Sequence, residues 1–152
     1  MQKSRKIAAA LQKGFTLIEL LVVIGIIGIL AAVVIVAVNP SRQFASARDT
    51  QRRADLYAIT NAIYQFAAEN NGNLPTEIDV VPTNIGTTTG LVNLGPTGTD
   101  PLVPTYLPSI PFDPTWGSDA NTQYTIYLDA NGRVVASASS ELNTGQIIQI
   151  TR

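Results

Sequence analysis

The stretch GFTLIELLVVIGIIGILAAVVIVAV, residues 14–38, decides the fold of this 152-residue chain. From Phe15 to Val38 it holds a single charged residue, Glu19, among 17 Leu, Ile, Val or Phe residues. A helix of this length measures about 36 Å, enough to cross a hydrocarbon core of about 30 Å. The apolar residues favour insertion by roughly 5 to 10 kcal/mol, which exceeds the roughly 3 kcal/mol that one acidic side chain costs. We therefore predict a transmembrane helix over residues 15–38.

A basic segment precedes this apolar run. Residues 1–14 contain four cationic side chains and no acidic one: Lys3, Arg5, Lys6 and Lys13. The positive-inside rule places this end in the cytoplasm, so we predict a single-pass protein of the cytoplasmic (inner) membrane with an exported remainder. Two alternatives stay open. One is a core helix of a soluble domain, although the rest of the chain is short for enclosing a helix that is apolar on every face. The other is a secretory signal cleaved after Ala45-Ser46-Ala47, although such signals have apolar regions of only about 7 to 15 residues.

At Gly14-Phe15-Thr16-Leu17-Ile18-Glu19 the sequence resembles the type IV prepilin family, which includes the pseudopilins of type II secretion. The shared features are a basic leader ending in glycine, a following phenylalanine, glutamate at the fifth position after the leader, and the apolar run. The resemblance implies that a prepilin peptidase removes residues 1–14 by cleaving between Gly14 and Phe15, and that Phe15 is then N-methylated. It also implies polymerisation into a helical homo-oligomeric filament, extracytoplasmic or at the cell surface, by an assembly ATPase and a platform membrane protein.

Glu19 is the residue for which physical chemistry predicts a role in assembly. A carboxylate within the membrane is costly and needs a partner. The positively charged amino terminus at Phe15 of an adjacent subunit would supply one, and at about 4 Å and an effective dielectric near 20 the pair is worth roughly 4 kcal/mol. We predict that this pair directs subunit register. The alternative leaves Glu19 at the headgroup boundary.

Three further positions are predicted to control helix packing or flexibility. Gly25 and Gly28 would permit close approach of neighbouring helices, or else mark points of local melting. The prepilin family often has proline at the position of Val36, whereas this chain has Asn39-Pro40 instead. Asparagine followed by proline is typical of an N-cap and the first residue of a second helix.

Beyond the membrane segment the sequence predicts an α+β pilin fold, in which the long N-terminal helix packs on a small C-terminal antiparallel β-sheet. Residues 39–71 are predicted to form an amphipathic helix that continues into the head, with an apolar stripe of Ala45, Leu56, Ile59, Ile63, Phe66 and Ala67. Residues 72–152 are predicted to form the exported globular head. Within it, 72–114 is rich in Pro, Gly and Thr and predicts a long surface loop, and 115–152 predicts the sheet. Its strands are expected at 123–128, 133–139 and 146–150, with a turn at Asn131-Gly132.

The composition excludes several kinds of chemistry. The chain has no cysteine and no histidine, so disulfides, thiolate zinc sites and a histidine general base are absent. The remaining carboxylates form no recognisable catalytic constellation, and we predict a structural protein rather than an enzyme, without a cofactor. Asp119, Asn121 and Asp129 could offer oxygen ligands to calcium. Since hard cations take six or more oxygens, we predict no metal and keep calcium as the alternative.

Four arginines follow the membrane segment: Arg42, Arg48, Arg52 and Arg53. No aromatic side chains interleave with them to stack on bases, so nucleic acid is not a predicted partner. We expect them to meet anionic lipid and to pair with Asp49 and Asp55 along the helix. The helix aromatics are predicted to pack in its core rather than to conduct electrons: Phe44, Tyr57, Tyr64 and Phe66.

A second, shorter resemblance lies at YLPSIPFDPTWG, residues 106–117. It is similar to a segment before the sheet in the major pseudopilin of type II secretion. The sequence leaves open whether the filament is a type IV pilus or a secretion pseudopilus. An alternative from a different class is a membrane-anchored, exported binding module that does not polymerise.

Overall fold

The computed structural model describes residues 14–152, so the four cationic side chains of the predicted leader lie outside the described residues. The chain forms two compact units, Met1–Pro40 and Ser41–Arg152. The described part of the first is a single helix. The second unit combines a helix with an antiparallel sheet, and the α+β pilin fold predicted from the sequence is confirmed.

Helix α1 spans Leu17–Val38. Thr16 is its N-cap: the backbone of Thr16 is extended, and its side-chain oxygen accepts the Glu19 N–H of the first turn. It continues without a break through Gly25 and Gly28, so the alternative of local melting at these glycines is not observed. None of its 22 residues is buried, and its length and apolar composition suffice to cross a membrane.

Helix α2 spans Pro40–Glu69 and starts at the predicted proline. The prediction for Asn39 was wrong, because its backbone is left-handed, with φ 47°, and it forms the C-cap of α1. Asparagine tolerates this conformation better than most residues. At its other end α2 stops where predicted: Asn71 and Gly72 both have positive φ, and the Gly72 N–H donates to the Ala67 carbonyl over 2.8 Å.

Four antiparallel strands form one sheet in the order β1–β2–β3–β4. They are β1 (Thr83–Asn84), β2 (Thr125–Leu128), β3 (Val134–Ser139) and β4 (Ile147–Thr151). The three strands predicted from alternation are present with ends shifted by one or two residues. Gly132, with φ 75°, lies in the predicted turn between β2 and β3. Strand β1 was not predicted, because a two-residue strand leaves no alternating pattern to detect.

The hydrophobic core lies between α2 and the sheet. Helix α2 contributes Leu56, Ile59 and Ile63, all at 0% exposure, and the sheet contributes residues such as Ile126 and Val134. The prediction that 72–114 is a surface loop was wrong for its apolar side chains, five of which belong to the same core: Ile78, Ile85, Val92, Leu94 and Leu102. They are spaced irregularly because, apart from the two residues of β1, the backbone here is neither helix nor strand, so no periodic signal reveals their burial.

Two of the helix aromatics are not in the core. Phe44 is 62% exposed and Tyr57 is 47% exposed, which overturns the prediction of core packing for both. Phe66 does pack against the core, where its ring meets Tyr106 edge-on at 6.0 Å. Tyr64 also lies against the core and donates its hydroxyl to the backbone carbonyl of Arg152.

Candidate functional site

The start of α1 brings together the residues predicted for processing and assembly. Gly14 and Phe15 precede the helix in irregular, exposed backbone, with Phe15 at 80% exposure. A side chain added at Gly14 would meet nothing within 4 Å. The predicted scissile bond therefore lies on a segment that nothing in the described chain shields.

Glu19 and Thr16 form a reciprocal capping box at this helix end. The Thr16 N–H and hydroxyl both donate to Glu19 Oε2, over 2.9 and 2.7 Å, and the Glu19 N–H donates to Thr16 Oγ1 over 3.3 Å. The carboxylate is thus folded back beside the peptide group that follows Phe15. An ionised carboxylate accepts about four hydrogen bonds, so the group retains acceptor capacity for an amino terminus.

Gly25 and Gly28 lie one turn apart on α1, and a Cβ placed on either would meet no atom within 4 Å. Within this chain, then, no contact requires glycine at either position. Their smallness would matter only against another helix.

The family model of the prokaryotic N-terminal methylation motif matches residues 10–35. The chain carries the type IV prepilin and pseudopilin signal. This signal includes Gly14, Phe15 and Glu19 and most of α1, and it belongs to structural pilin subunits rather than to an enzyme family. Together with the apolar helix it indicates a pilin-like prepilin anchored in a membrane. Comparison with curated proteins and with solved structures gave no significant match.

Residues 41–152 contain a buried ionic cluster centred on Arg52, which is 0% exposed. Its Nε donates to Asp113 Oδ2 over 2.6 Å and its Nη2 to Asp113 Oδ1 over 3.1 Å, a bidentate pair. Nη1 donates to Asp49 Oδ1 over 2.9 Å, and Glu141 lies 3.4 Å away. Thus one guanidinium joins α2, the loop before β2 and the loop after β3.

The carboxylates around Arg52 are held in their ionised form. Burial opposes the charge of Asp113, but the Arg52 hydrogen bonds and two backbone N–H donors outweigh it and lower the pKa of that carboxyl. Asp49 behaves alike: burial is offset by donors from Ser140 and from the backbone of Glu141 and Leu142, so its pKa is also lowered. Hydrogen bonding from Arg48 lowers the pKa of Glu141 to about 2.

This cluster corrects the predictions for Arg52 and for Asp55. Arg52 does pair with Asp49 along the helix, but it is buried in the head and cannot meet lipid headgroups. Arg48 donates its Nε to Glu141 over 2.7 Å. Asp55 is bonded instead by Gln51 and by the buried hydroxyl of Tyr124, over 2.7 Å each. Sequence reasoning missed Asp113 and Glu141 because both lie in loops far from α2 in the chain.

The calcium candidates are engaged in turns of their own. Asp129 pairs with Arg133 at 2.7 Å and accepts the N–H groups of Asn131 and Arg133. Asn121 Oδ1 accepts from the Gln123 N–H and from Asn84 Nδ2. Asp119 is exposed. Among residues 14–152 no group of three or more acidic side chains is placed to hold a metal ion.

Proposed function

We propose that this protein is a structural prepilin that is cleaved between Gly14 and Phe15, N-methylated at Phe15 and polymerised into a type IV pilus or a type II secretion-type pseudopilus. The observation that carries the proposal is that the methylation motif, residues 10–35, covers most of a 22-residue apolar helix, α1, in which no residue is buried. Two environments cover such a surface, lipid before assembly and the helices of neighbouring subunits after it.

The exposed apolar side chains of α1 support a role for this helix in packing against the helices of neighbouring subunits. Large apolar side chains are exposed on all its sides, from Leu17 at 80% to Val36 at 83%. A helix that is apolar all round serves equally in a membrane and in the core of a bundle. Gly25 and Gly28, open in the single chain, would then permit close helix approach.

Glu19 would set the register of the bundle. Cleavage creates a positive amine at Phe15, and the Glu19 carboxylate is already turned towards the helix start. A carboxylate in lipid has a free-energy cost. Pairing with the amine of a neighbouring subunit would offset this cost by roughly 4 kcal/mol per pair. Assembly by a platform protein and ATPase would therefore favour one axial offset between subunits.

The distinguishing experiment is immunogold electron microscopy of cells that produce this chain with a prepilin peptidase and assembly machinery. We expect gold-labelled filaments at the surface or in sheared fractions. Label confined to the membrane, with the chain processed and no filament in any fraction, would instead support the anchored module that does not polymerise.

A further inference from the structure

The second unit, Ser41–Arg152, exposes most of its large apolar side chains near the start of α2. Seven such side chains are exposed in this unit, and four of them belong to that region: Phe44, Phe112, Trp116 and Ile147. We refer to these four side chains together as the proximal patch. Trp116, the only tryptophan of the chain, is the most exposed of them, at 71%. Exposed apolar side chains grouped in one region mark contact with a membrane or a partner.

The loop that carries Phe112 and Trp116 is fixed to α2 through Asp113. The Asp113 carboxylate accepts from Arg52 Nε over 2.6 Å and from the Trp116 N–H over 3.0 Å. At Gly117 an added Cβ would lie 2.4 Å from the Asp113 backbone nitrogen, so the turn has no room for a side chain there. A backbone held in this way loses little further freedom on binding, which favours affinity.

The sheet brings Ile147 to the same part of α2. Ile147 pairs with Ser139 of β3, and the next residue of the chain, Ser140, donates its hydroxyl to Asp49. Phe44 lies on α2 itself, five residues before Asp49. All four side chains of the proximal patch are therefore attached near the first four turns of α2.

Val80, at 63% exposure, provides a comparison from the other end of the sheet. The carbonyl of the preceding residue, Asp79, accepts the Leu128 N–H at the end of β2. Leu128 pairs with Val134, the first residue of β3, whereas Ile147 pairs with the last residue of that strand. Along the six residues of β3 the two ends are about 17 Å apart.

A lipid surface lies within reach of the proximal patch because of how the chain is connected. The 22 residues of α1 measure about 33 Å, so in a membrane they fill the hydrocarbon core of about 30 Å and leave Pro40 at the headgroups. Arg52, which holds the Trp116 loop, follows Pro40 by 12 residues, about 18 Å along a helix. This covalent limit applies to every anchored subunit, with or without a second copy beside it.

The chemistry of the patch fits the interface between lipid and water. Tryptophan is enriched there, because its ring combines a flat apolar body with one N–H donor, and the other three side chains of the patch add apolar surface. Arg53, exposed on the same part of α2, is a cation that anionic headgroups attract. Asp49 and Asp113 are buried against Arg52, so these carboxylates present little negative charge to a membrane.

We propose that, in the unassembled subunit, the proximal patch inserts into the lipid–water interface, with the Trp116 ring at the level of the headgroups. This inference rests on the proposed function only for the membrane anchoring of α1, and it does not require polymerisation. It gives the subunit a second lipid contact, which assembly into a filament would have to release.

The single tryptophan makes the test direct, because the emission of the full chain reports on one ring. The chain is reconstituted into phospholipid vesicles made either of ordinary lipids or of lipids brominated on the acyl carbons next to the headgroup. We expect bromine to quench the Trp116 emission by about half, since an interfacial ring touches this part of the acyl chains. Iodide in the aqueous phase should quench it only weakly.

The matched control is the double variant Trp116→Phe, Val80→Trp, which keeps one tryptophan and moves it to the other end of the sheet. Its emission should be quenched by iodide and nearly unaffected by brominated lipid. Equal bromine quenching of the two proteins would show that the patch has no special contact with lipid, and the inference would be wrong.

The remaining outcomes separate this inference from the proposed function. Trp116 quenched by iodide and not by bromine would place the loop in water, and Trp116 protected from both quenchers would show that protein covers it, such as a second copy. Either result would overturn the inference and leave the proposed function standing. A chain that alkaline carbonate extracts from the vesicles would overturn the membrane anchoring, and with it both proposals.

Discussion

Replacing Arg52 with alanine is expected to destabilise the head by about 3–5 kcal/mol, the usual cost of removing one partner from a buried ion pair. The variant would leave Asp113 and Asp49, at 5% and 2% exposure, without the guanidinium that pairs with both. It would also remove the side-chain bonds between α2 and Asp113 in the loop before β2. Urea unfolding of the full chain in detergent measures the loss, and the single Trp116 beside the cluster reports it by fluorescence.

Arg53→Ala is the matched control, because Arg53 is the next residue of α2 and is exposed. Its free energy of unfolding should lie within about 0.5 kcal/mol of the wild type. If Arg52→Ala gives too little folded protein to measure, Asp113→Asn keeps an oxygen for the Thr115 and Trp116 N–H groups while removing the charge, and a smaller loss is expected. Equal stabilities for the Arg52 and Arg53 variants would show that the cluster contributes little.

Glu19→Leu is expected to abolish filament assembly while leaving membrane insertion and cleavage intact. Removing a pair worth roughly 4 kcal/mol weakens each subunit contact by about a thousandfold, at 1.4 kcal/mol per factor of ten. Insertion should be unchanged or improved, since a charge leaves an apolar helix. The measurement is the amount of this chain in sheared filaments relative to the membrane fraction, and Glu19→Ala should behave alike.

Two variants separate the charge of Glu19 from its capping role. Glu19→Gln retains an oxygen that can accept the Thr16 N–H but has no charge, so we expect it to fail in assembly as leucine does. Thr16→Ala removes the hydroxyl of the capping box and keeps the carboxylate, so filaments should form. Normal filaments from Glu19→Gln would contradict the proposed pair with the Phe15 amine.

Local patterns predicted the elements whose signals are periodic or depend on turn residues. The apolar run gave α1, the stripe through Leu56 and Ile59 gave α2, and the turn at Gly132 located β2 and β3. The same reasoning failed where tertiary contacts determine which side chains are buried. Burial of Ile85 and Leu94 depends on loops that follow no period.

The candidate sites divide in the same way. Gly14, Phe15 and Glu19 could be singled out from the sequence because they lie within six consecutive residues that carry the methylation motif, and the roles predicted for them stay predictions. The Arg52 cluster was not, because Asp113 lies 61 residues and Glu141 89 residues from Arg52 in the chain. An arginine on an amphipathic helix is usually solvated, and only the fold reveals which carboxylates surround this one. The exposure of Trp116 likewise could not be predicted from the local sequence pattern.

The most direct test of the account is mass spectrometry of the mature chain, purified from a host that has a prepilin peptidase. The account predicts a polypeptide that lacks residues 1–14 and begins with N-methylated Phe15. A mature chain beginning at Arg48 would identify a secretory signal instead, and an intact chain beginning at Met1 in the presence of active peptidase would contradict processing as a prepilin.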